Sequence, residues 1–175
     1  VILGDFEKFN QDYDYVVNND LGNASNYQQA STLFDVTDLI DYAVAQTAIN
    51  NSDSYGNNIK FWRERKADAH WRYILFDLES GLGRYGWTLA GENVFEKKMV
   101  QYADTNRHIN IFKAFLGNET FKHNFLNRYA DLLNTTFREE RMEEEIIFSR
   151  DLIAHDMVRH FERWGWPGYD IWWNQ

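Results

Sequence analysis

Two aspartates and one asparagine near the middle of the chain have the residue types and spacing that phosphoryl-transfer chemistry uses. Asp53 is followed five residues later by Asn58, and Asp77 comes directly after the apolar run Tyr73–Phe76. In this chemistry one carboxylate orients the attacking hydroxyl, while an amide and a second carboxylate hold Mg²⁺ against the nucleotide phosphates. Asp53 is therefore a candidate catalytic residue, and Asn58 and Asp77 are candidate ligands of the metal and its nucleotide. An acid that ends an apolar strand needs a compensating partner, and for Asp77 a cation would supply one.

A single β-hairpin is predicted to bring these three residues together. The runs Asn58–Arg63 and Trp71–Leu78 are rich in residues that favour strands, and the polar stretch Glu64–His70 separates them. A hairpin places the residues before its first strand close to those that end its second strand. The spacing alone is equally typical of ordinary turns, in which Asp and Asn are common.

A family resemblance extends over most of the chain. The segment Phe34–Gly83, FDVTDLIDYAVAQTAINNSDSYGNNIKFWRERKADAHWRYILFDLESGLG, resembles the core of the CotH family, the spore-coat-protein-H-like atypical kinases. The segments Ile111–Phe137 and Met157–Gly165 resemble the C-terminal helices of that family. The resemblance implies the C-terminal-lobe portion of an atypical protein-kinase-like fold.

The resemblance also implies an activity and a set of site residues. The parent protein would transfer the γ-phosphoryl group of ATP, with Mg²⁺ or Mn²⁺, to Ser or Thr hydroxyls of a protein substrate. Asp53 would be the base or orienting acid, and Asn58 and Asp77 would bind the metal. Glu79 would lend the metal a second carboxylate, although Asp is more usual there in the family. A spore coat, a cell surface or another extracellular setting would suit such a protein.

The sequence departs from a complete kinase in two respects. Asn51 and Ser52 replace the usual His-Arg before the catalytic Asp, and Asp77-Leu78-Glu79 replaces Asp-Phe-Gly. A kinase site also needs a strand Lys that grips the nucleotide, and Lys8 is the only Lys before Asp53. We therefore expect residues 1–175 to be a single domain that is part of a longer kinase domain, with its nucleotide-gripping part upstream. The isolated piece is expected to be inactive.

Apolar periodicity predicts the fold class as mainly α with a small β-hairpin (α+β). A first helix is expected within Val1–Gln29, and a second, capped by Asp35, is expected to run to about Ile49. That second helix would deliver the chain to Asp53.

Three further helical patterns follow the hairpin. They are expected to end at Gly117, near Phe137 and near Trp164. The last helix is expected to turn apolar residues such as Ile146 and Ile153 inward. Between the hairpin and these helices, residues 87–105 are expected to be irregular, with the charged side chains solvated: Glu92, Glu96, Lys97 and Lys98.

Composition excludes several classes of protein. The chain has 27 acidic and 18 basic side chains, and its net charge of −9 argues against nucleic acid as a partner. No run of 18 apolar residues is present, so no membrane span is expected. The absence of cysteine excludes disulfides, thiolate catalysis and Cys-ligated zinc.

Other motifs give weaker indications. Residues 81–86 match G-x-G-x-x-G, but no βαβ context surrounds them, so they are expected to form the flexible segment after Asp77. His155 and His160 are five residues apart, which does not place them on one helix face as a zinc motif requires. All five histidines are expected to be structural or solvated.

A non-catalytic module is the alternative function. A surface or coat domain could bind a protein or glycan partner through acidic and aromatic side chains. Five aromatic residues near the C-terminus support this alternative: Trp164, Trp166, Tyr169, Trp172 and Trp173.

Overall fold

The structure confirms a mainly helical chain with one small antiparallel sheet. The computed structural model describes residues 6–54, 56–83, 92–101 and 105–165. Within these ranges the chain forms seven helices and two strands: α1 (Phe6–Asn18), α2 (Ala24–Leu33), α3 (Val36–Ala48), β1 (Lys60–Trp62), β2 (Arg72–Ile74), α4 (Val94–Gln101), α5 (Arg107–Leu116), α6 (Glu119–Asn134) and α7 (Glu139–Trp164). None of the described helices combines the length and the apolar character that a membrane crossing requires.

The chain divides into two compact units, residues 1–131 and residues 132–175. The second unit contains α7. The residue that follows this helix, Gly165, has a left-handed backbone conformation with φ 64°. Such a residue commonly ends a helix, since glycine adopts this conformation without steric cost. The predicted inward stripe of α7 is not confirmed, because Ile146 and Ile153 are exposed. The assignment of residues 1–175 to one domain of a longer kinase stays a prediction.

The core of the first unit is built from side chains of α1, α2, α3, α5 and the start of α6. The buried apolar side chains of these helices are Phe9, Val16, Ala30, Leu39, Ile40, Tyr42, Ala43, Val44, Ala45, Ile109, Ile111, Phe112, Phe115, Phe121 and Phe125. Asp35 caps α3 as predicted, since its carboxylate accepts a hydrogen bond from the N–H of Asp38. Only the first half of α6 contributes buried side chains, and Leu126 and Leu133 farther along the helix are exposed.

The hairpin is fastened to the N-terminus of α3. Its strands pair Phe61 with Tyr73. The N–H of Tyr73 donates a hydrogen bond of 2.6 Å to Asp38 Oδ2, and Arg72 Nε donates one of 2.8 Å to Asp35 Oδ2. Burial opposes ionisation of Asp35, but the bonds from Arg72 and from the Asp38 N–H prevail and lower its pKa. Two carboxylates at the start of one helix therefore fix the second strand.

The strands are shorter than the sequence predicted. β1 covers 60–62 within the predicted run 58–63, and β2 covers 72–74 within the predicted run 71–78. Ile74, Leu75 and Phe76 are exposed at 43%, 48% and 40%. The apolar residues before Asp77 therefore do not form a buried strand. Strand propensity therefore marked the right region but not the ends of the pairing.

An aromatic cluster joins the hairpin to α1 and α5. Phe61 lies 4.7 Å from Phe9 of α1 and 4.8 Å from His108 of α5, measured between ring centroids. The His108 Nδ1 and the Tyr73 hydroxyl are 2.9 Å apart and share a hydrogen bond. Burial lowers the pKa of His108 to about 4, and the charge of Arg107 adds to that shift.

We expect acid to destabilise the fold through His108. The unfolded chain binds a proton at this residue below about pH 6.5, whereas the folded protein binds it only near pH 4. Stability is therefore retained above pH 6.5 and lost as the pH falls toward 4, by roughly 3 kcal/mol for this group alone. Urea unfolding at both pH values measures the loss. His108→Phe should make it smaller, and His123→Asn, on the exposed part of α6, should leave it unchanged.

Candidate functional site

Asp53 lies in a tight turn that follows α3. Asn51 is buried, and its Nδ2 donates a hydrogen bond of 2.7 Å to Gln46 Oε1 at the end of the helix. The Asn51 Oδ1 in turn accepts a bond of 3.1 Å from the N–H of Asp53. The Asp53 carbonyl accepts from the N–H groups of Gly56 and Asn57 at 3.3 and 3.1 Å. Asn51, which the sequence showed only as a departure from the kinase pattern, thus anchors the turn.

The segment after Asp77 is hydrogen-bonded to the segment before Asp53. The N–H and the hydroxyl of Ser52 both donate to the Ser80 carbonyl oxygen, at 3.2 and 3.1 Å, and we call this contact the Ser52–Ser80 junction. Beside it the N–H of Leu82 donates to the Ile49 carbonyl at 2.6 Å. Ser52 directly precedes Asp53, and Ser80 stands three residues after Asp77. The two backbone segments that carry the predicted acids therefore lie side by side.

Backbone strain is concentrated in the same region. Among the described residues, the non-glycine residues with positive φ are Asn50, Asn58, Asp77 and Leu82, at 54°, 53°, 59° and 55°. Asn and Asp tolerate this left-handed conformation better than other residues do, and they also use it in ordinary turns. Strained backbone persists where the surrounding structure enforces it, which is common at functional sites. Two of the three predicted metal ligands, Asn58 and Asp77, adopt it here.

One argument for Asp77 is wrong. The sequence suggested that Asp77 ends a buried apolar strand and needs a cation to compensate its charge. The structure instead places Asp77 in an exposed position after the exposed residues Leu75 and Phe76. Asp77 therefore needs no cation to compensate a buried charge. What supports Asp77 is its left-handed backbone and its closeness in sequence to the Ser52–Ser80 junction.

The donor atoms of the predicted ligands fit a hard divalent cation. Asn58 offers an amide oxygen and Asp77 a carboxylate, and Glu79 lies in the exposed turn that follows. Mg²⁺ and Mn²⁺ prefer such oxygen ligands, and Mg²⁺ is commonly held by one or two carboxylates together with substrate phosphates. The described residues contain no cluster of three or more His, Asp or Glu side chains that could bind a metal alone. The roles of Asn58, Asp77 and Glu79 stay predictions.

Lys98 is a residue of this region that sequence reasoning missed. The stretch around it was expected to be irregular and Lys98 to be solvated, but residues 94–101 form α4 and Lys98 is only 6% exposed. Its ammonium group donates a hydrogen bond to the Ser52 carbonyl. Burial lowers the pKa of Lys98, and the nearby Asp53 carboxylate opposes that shift. No sequence pattern separated Lys98 from its neighbour Lys97, which pairs with Glu92 at 3.1 Å.

Ser54 adds an unusual feature next to Asp53. Its side chain is buried, and its hydroxyl oxygen has no hydrogen-bond partner among the described residues. A buried hydroxyl without a partner costs about 1–3 kcal/mol. The fold therefore tolerates the free-energy cost of this buried hydroxyl directly beside Asp53, the predicted catalytic residue.

The remaining motifs have structural positions or lie outside the described residues. Gly81 of the G-x-G-x-x-G match is buried beside the Ser52–Ser80 junction, and residues 84–86 of the match lie outside the described ranges. His108 belongs to the aromatic cluster. Of the C-terminal aromatics proposed as a binding surface, Trp164 is exposed at the end of α7. The other four fall beyond residue 165, outside the described ranges.

Substitution of Gly81 tests the junction. A Cβ at this position would lie 3.0 Å from the Ile49 carbonyl oxygen and 3.1 Å from that of Leu78. Both neighbours are backbone, so the segments must separate, and we expect Gly81→Ala to lower the unfolding free energy by about 1–3 kcal/mol. Gly22→Ala is the matched control, because the atom nearest its Cβ belongs to the side chain of Asp20. Equal stability of the two variants in urea unfolding would show that the contact at Gly81 is not a constraint.

Comparison with known proteins gives one match. A family model described as CotH kinase protein matches residues 3–174. The match includes Asp53, Asn58, Asp77 and Glu79, together with the C-terminal helices. Comparisons with curated proteins and with solved structures found no match.

Proposed function

The chain belongs to the CotH kinase protein family, and from this premise we propose that it carries the catalytic and metal-binding part of an ATP-dependent protein kinase. The acceptor would be a Ser or Thr hydroxyl of a protein substrate. Asp53 would orient the hydroxyl and accept its proton, and Asn58 and Asp77, with Glu79 as an auxiliary, would bind the metal. The observation that carries this proposal is the Ser52–Ser80 junction, which joins the segments of Asp53 and Asp77.

The proposed reaction is a direct transfer. The oxygen of the acceptor hydroxyl forms a bond to the γ-phosphorus, while the bond from that phosphorus to the bridging oxygen breaks and ADP leaves with the electron pair. The proton of the hydroxyl passes to the carboxylate of Asp53. Mg²⁺ or Mn²⁺, when bound, would neutralise charge on the phosphates. The protein contributes mainly fixed positions, which suits a catalytic residue held through its own backbone N–H and carbonyl groups.

Two conservative substitutions in the full-length protein test the roles of the acids. We expect Asp53→Asn and Asp77→Asn each to lower kcat for phosphate transfer by about 100-fold or more, because a carboxylate is lost at the reacting groups. The melting temperature should change little in Asp77→Asn, since that side chain is exposed. It should fall modestly in Asp53→Asn, because the turn contacts of Asp53 are made by backbone but its carboxylate interacts with the buried Lys98. Radiolabelled phosphate transfer measures the effect.

The control for these variants is Asp68→Asn. Asp68 is an exposed acid in the connection of the same hairpin, so its loss changes the net charge equally without touching the site. We expect wild-type kcat for this control. A wild-type rate in Asp77→Asn would remove Asp77 from the site, and a full-length protein without any phosphate transfer would refute the kinase proposal.

The isolated chain should bind nucleotide poorly. Lys8, the only Lys upstream of Asp53, lies in α1 and pairs with the buried carboxylate of Asp12, so it cannot serve as a strand Lys that grips phosphates. We expect isothermal titration of residues 1–175 with Mg-ATP to give a dissociation constant in the high micromolar range or weaker. An affinity in the low micromolar range would show that the nucleotide is gripped by residues of this chain.

A further inference from the structure

Lys98 is held in place by aromatic packing on the neighbouring part of the α4 surface. Phe95, one turn before it on the same helix, lies 5.5 Å from Phe112 and 5.6 Å from Phe125 between ring centroids. Residues three apart are neighbours on a helix surface. The position of α4 is therefore set by α5 and α6, and α4 in turn sets the position from which Lys98 reaches the Asp53 turn.

Ser52 is the point at which three parts of the first unit meet. Its N–H and hydroxyl donate to Ser80, in the segment after Asp77, and its carbonyl accepts from the ammonium group of Lys98. The next residue is Asp53. A buried ammonium group is costly unless it is hydrogen-bonded and has an opposite charge nearby. Lys98 meets both conditions, since the Ser52 carbonyl accepts its hydrogen bond and the Asp53 carboxylate lies near enough to interact with its charge.

We propose that Lys98 is a positioning residue for Asp53, which fixes the turn through the Ser52 carbonyl and places a positive charge beside the Asp53 carboxylate. The inference deepens the proposed function and rests on it for the catalytic consequence. The physical reason for that consequence is that small displacements of a catalytic group cost much of the rate, on the order of 100-fold for about 1 Å. The placement of the turn by Lys98 is a separate, structural part of the inference and can be measured without activity.

The test compares three variants of the full-length protein. Lys98→Met removes the charge and the donor while keeping a side chain of similar length, and Lys98→Arg keeps both. Lys97→Met is the matched control, because Lys97 is the adjacent lysine, is exposed and pairs with Glu92. Two quantities are measured: the kinetic constants of phosphate transfer, and hydrogen exchange of the Gly56 and Asn57 amides, which donate to the Asp53 carbonyl.

We expect Lys98→Met to lower kcat by about 30-fold or more, with the KM for ATP and for the acceptor changed by less than about threefold. Exchange of the two amides should be at least about tenfold faster, as for a turn that opens more readily. Lys98→Arg should recover most of both quantities, and Lys97→Met should match the wild type. If Lys98→Met does not fold, Lys98→Arg decides: near-wild-type kcat supports the inference, and a folded variant as inactive as Asp53→Asn overturns it.

Two further results would overturn the inference. Unchanged amide exchange in Lys98→Met would show that Lys98 does not hold the turn, and faster exchange with unchanged kcat would show that its role is only structural. A wild-type protein without phosphate transfer would instead refute the proposed function. In that case the exchange difference between Lys98→Met and Lys97→Met decides alone whether Lys98 positions Asp53.

Discussion

The hydrogen bonds that meet at Ser52 are the constraint on which the candidate site depends. Two donors of this residue bind the Ser80 carbonyl, and its own carbonyl accepts from Lys98. The backbone before Asp53 is therefore tied both to the segment that follows Asp77 and to α4. These bonds use no side chain of the predicted catalytic set, so the set can be charged and accessible while its framework stays fixed.

The framework extends outward from that point through burial. Upstream, the hydrogen bond from Asn51 to Gln46 ties the turn to the end of α3. Downstream, the hairpin is held by two carboxylates at the start of the same helix and by the aromatic cluster around Phe61. α3 thus supports both ends of the region that holds Asp53 and Asp77. A helix with one mostly buried face suits this role, because a close-packed interior is hard to compress and holds its side chains in fixed positions.

Family membership and geometry contribute different information about the candidate site. The match over residues 3–174 places the chain among CotH kinase proteins. The structure adds that two of the three predicted metal ligands, Asn58 and Asp77, have left-handed backbone and that Asp77 is exposed. An exposed acid in a strained conformation is consistent with a ligand of a metal ion that takes its other ligands from the substrate phosphates. The assignment of metal and nucleotide roles remains our proposal.

The residues of the candidate site stay a prediction from spacing and family resemblance. The sequence by itself determined the mainly helical fold, the Asp35 cap and the approximate hairpin. These follow from local rules, since capping, helical periodicity and strand propensity act over a few neighbouring residues. Only the tertiary structure decided that Lys98 is buried while Lys97 is not, that Ser52 binds Ser80, and that Ile74, Leu75 and Phe76 are exposed. Each of these depends on which distant segment lies opposite, and the contact between Ser52 and Ser80 spans 28 residues. Local pattern carries no signal for such pairings, because a lysine or a serine has the same propensity whatever it meets across the fold.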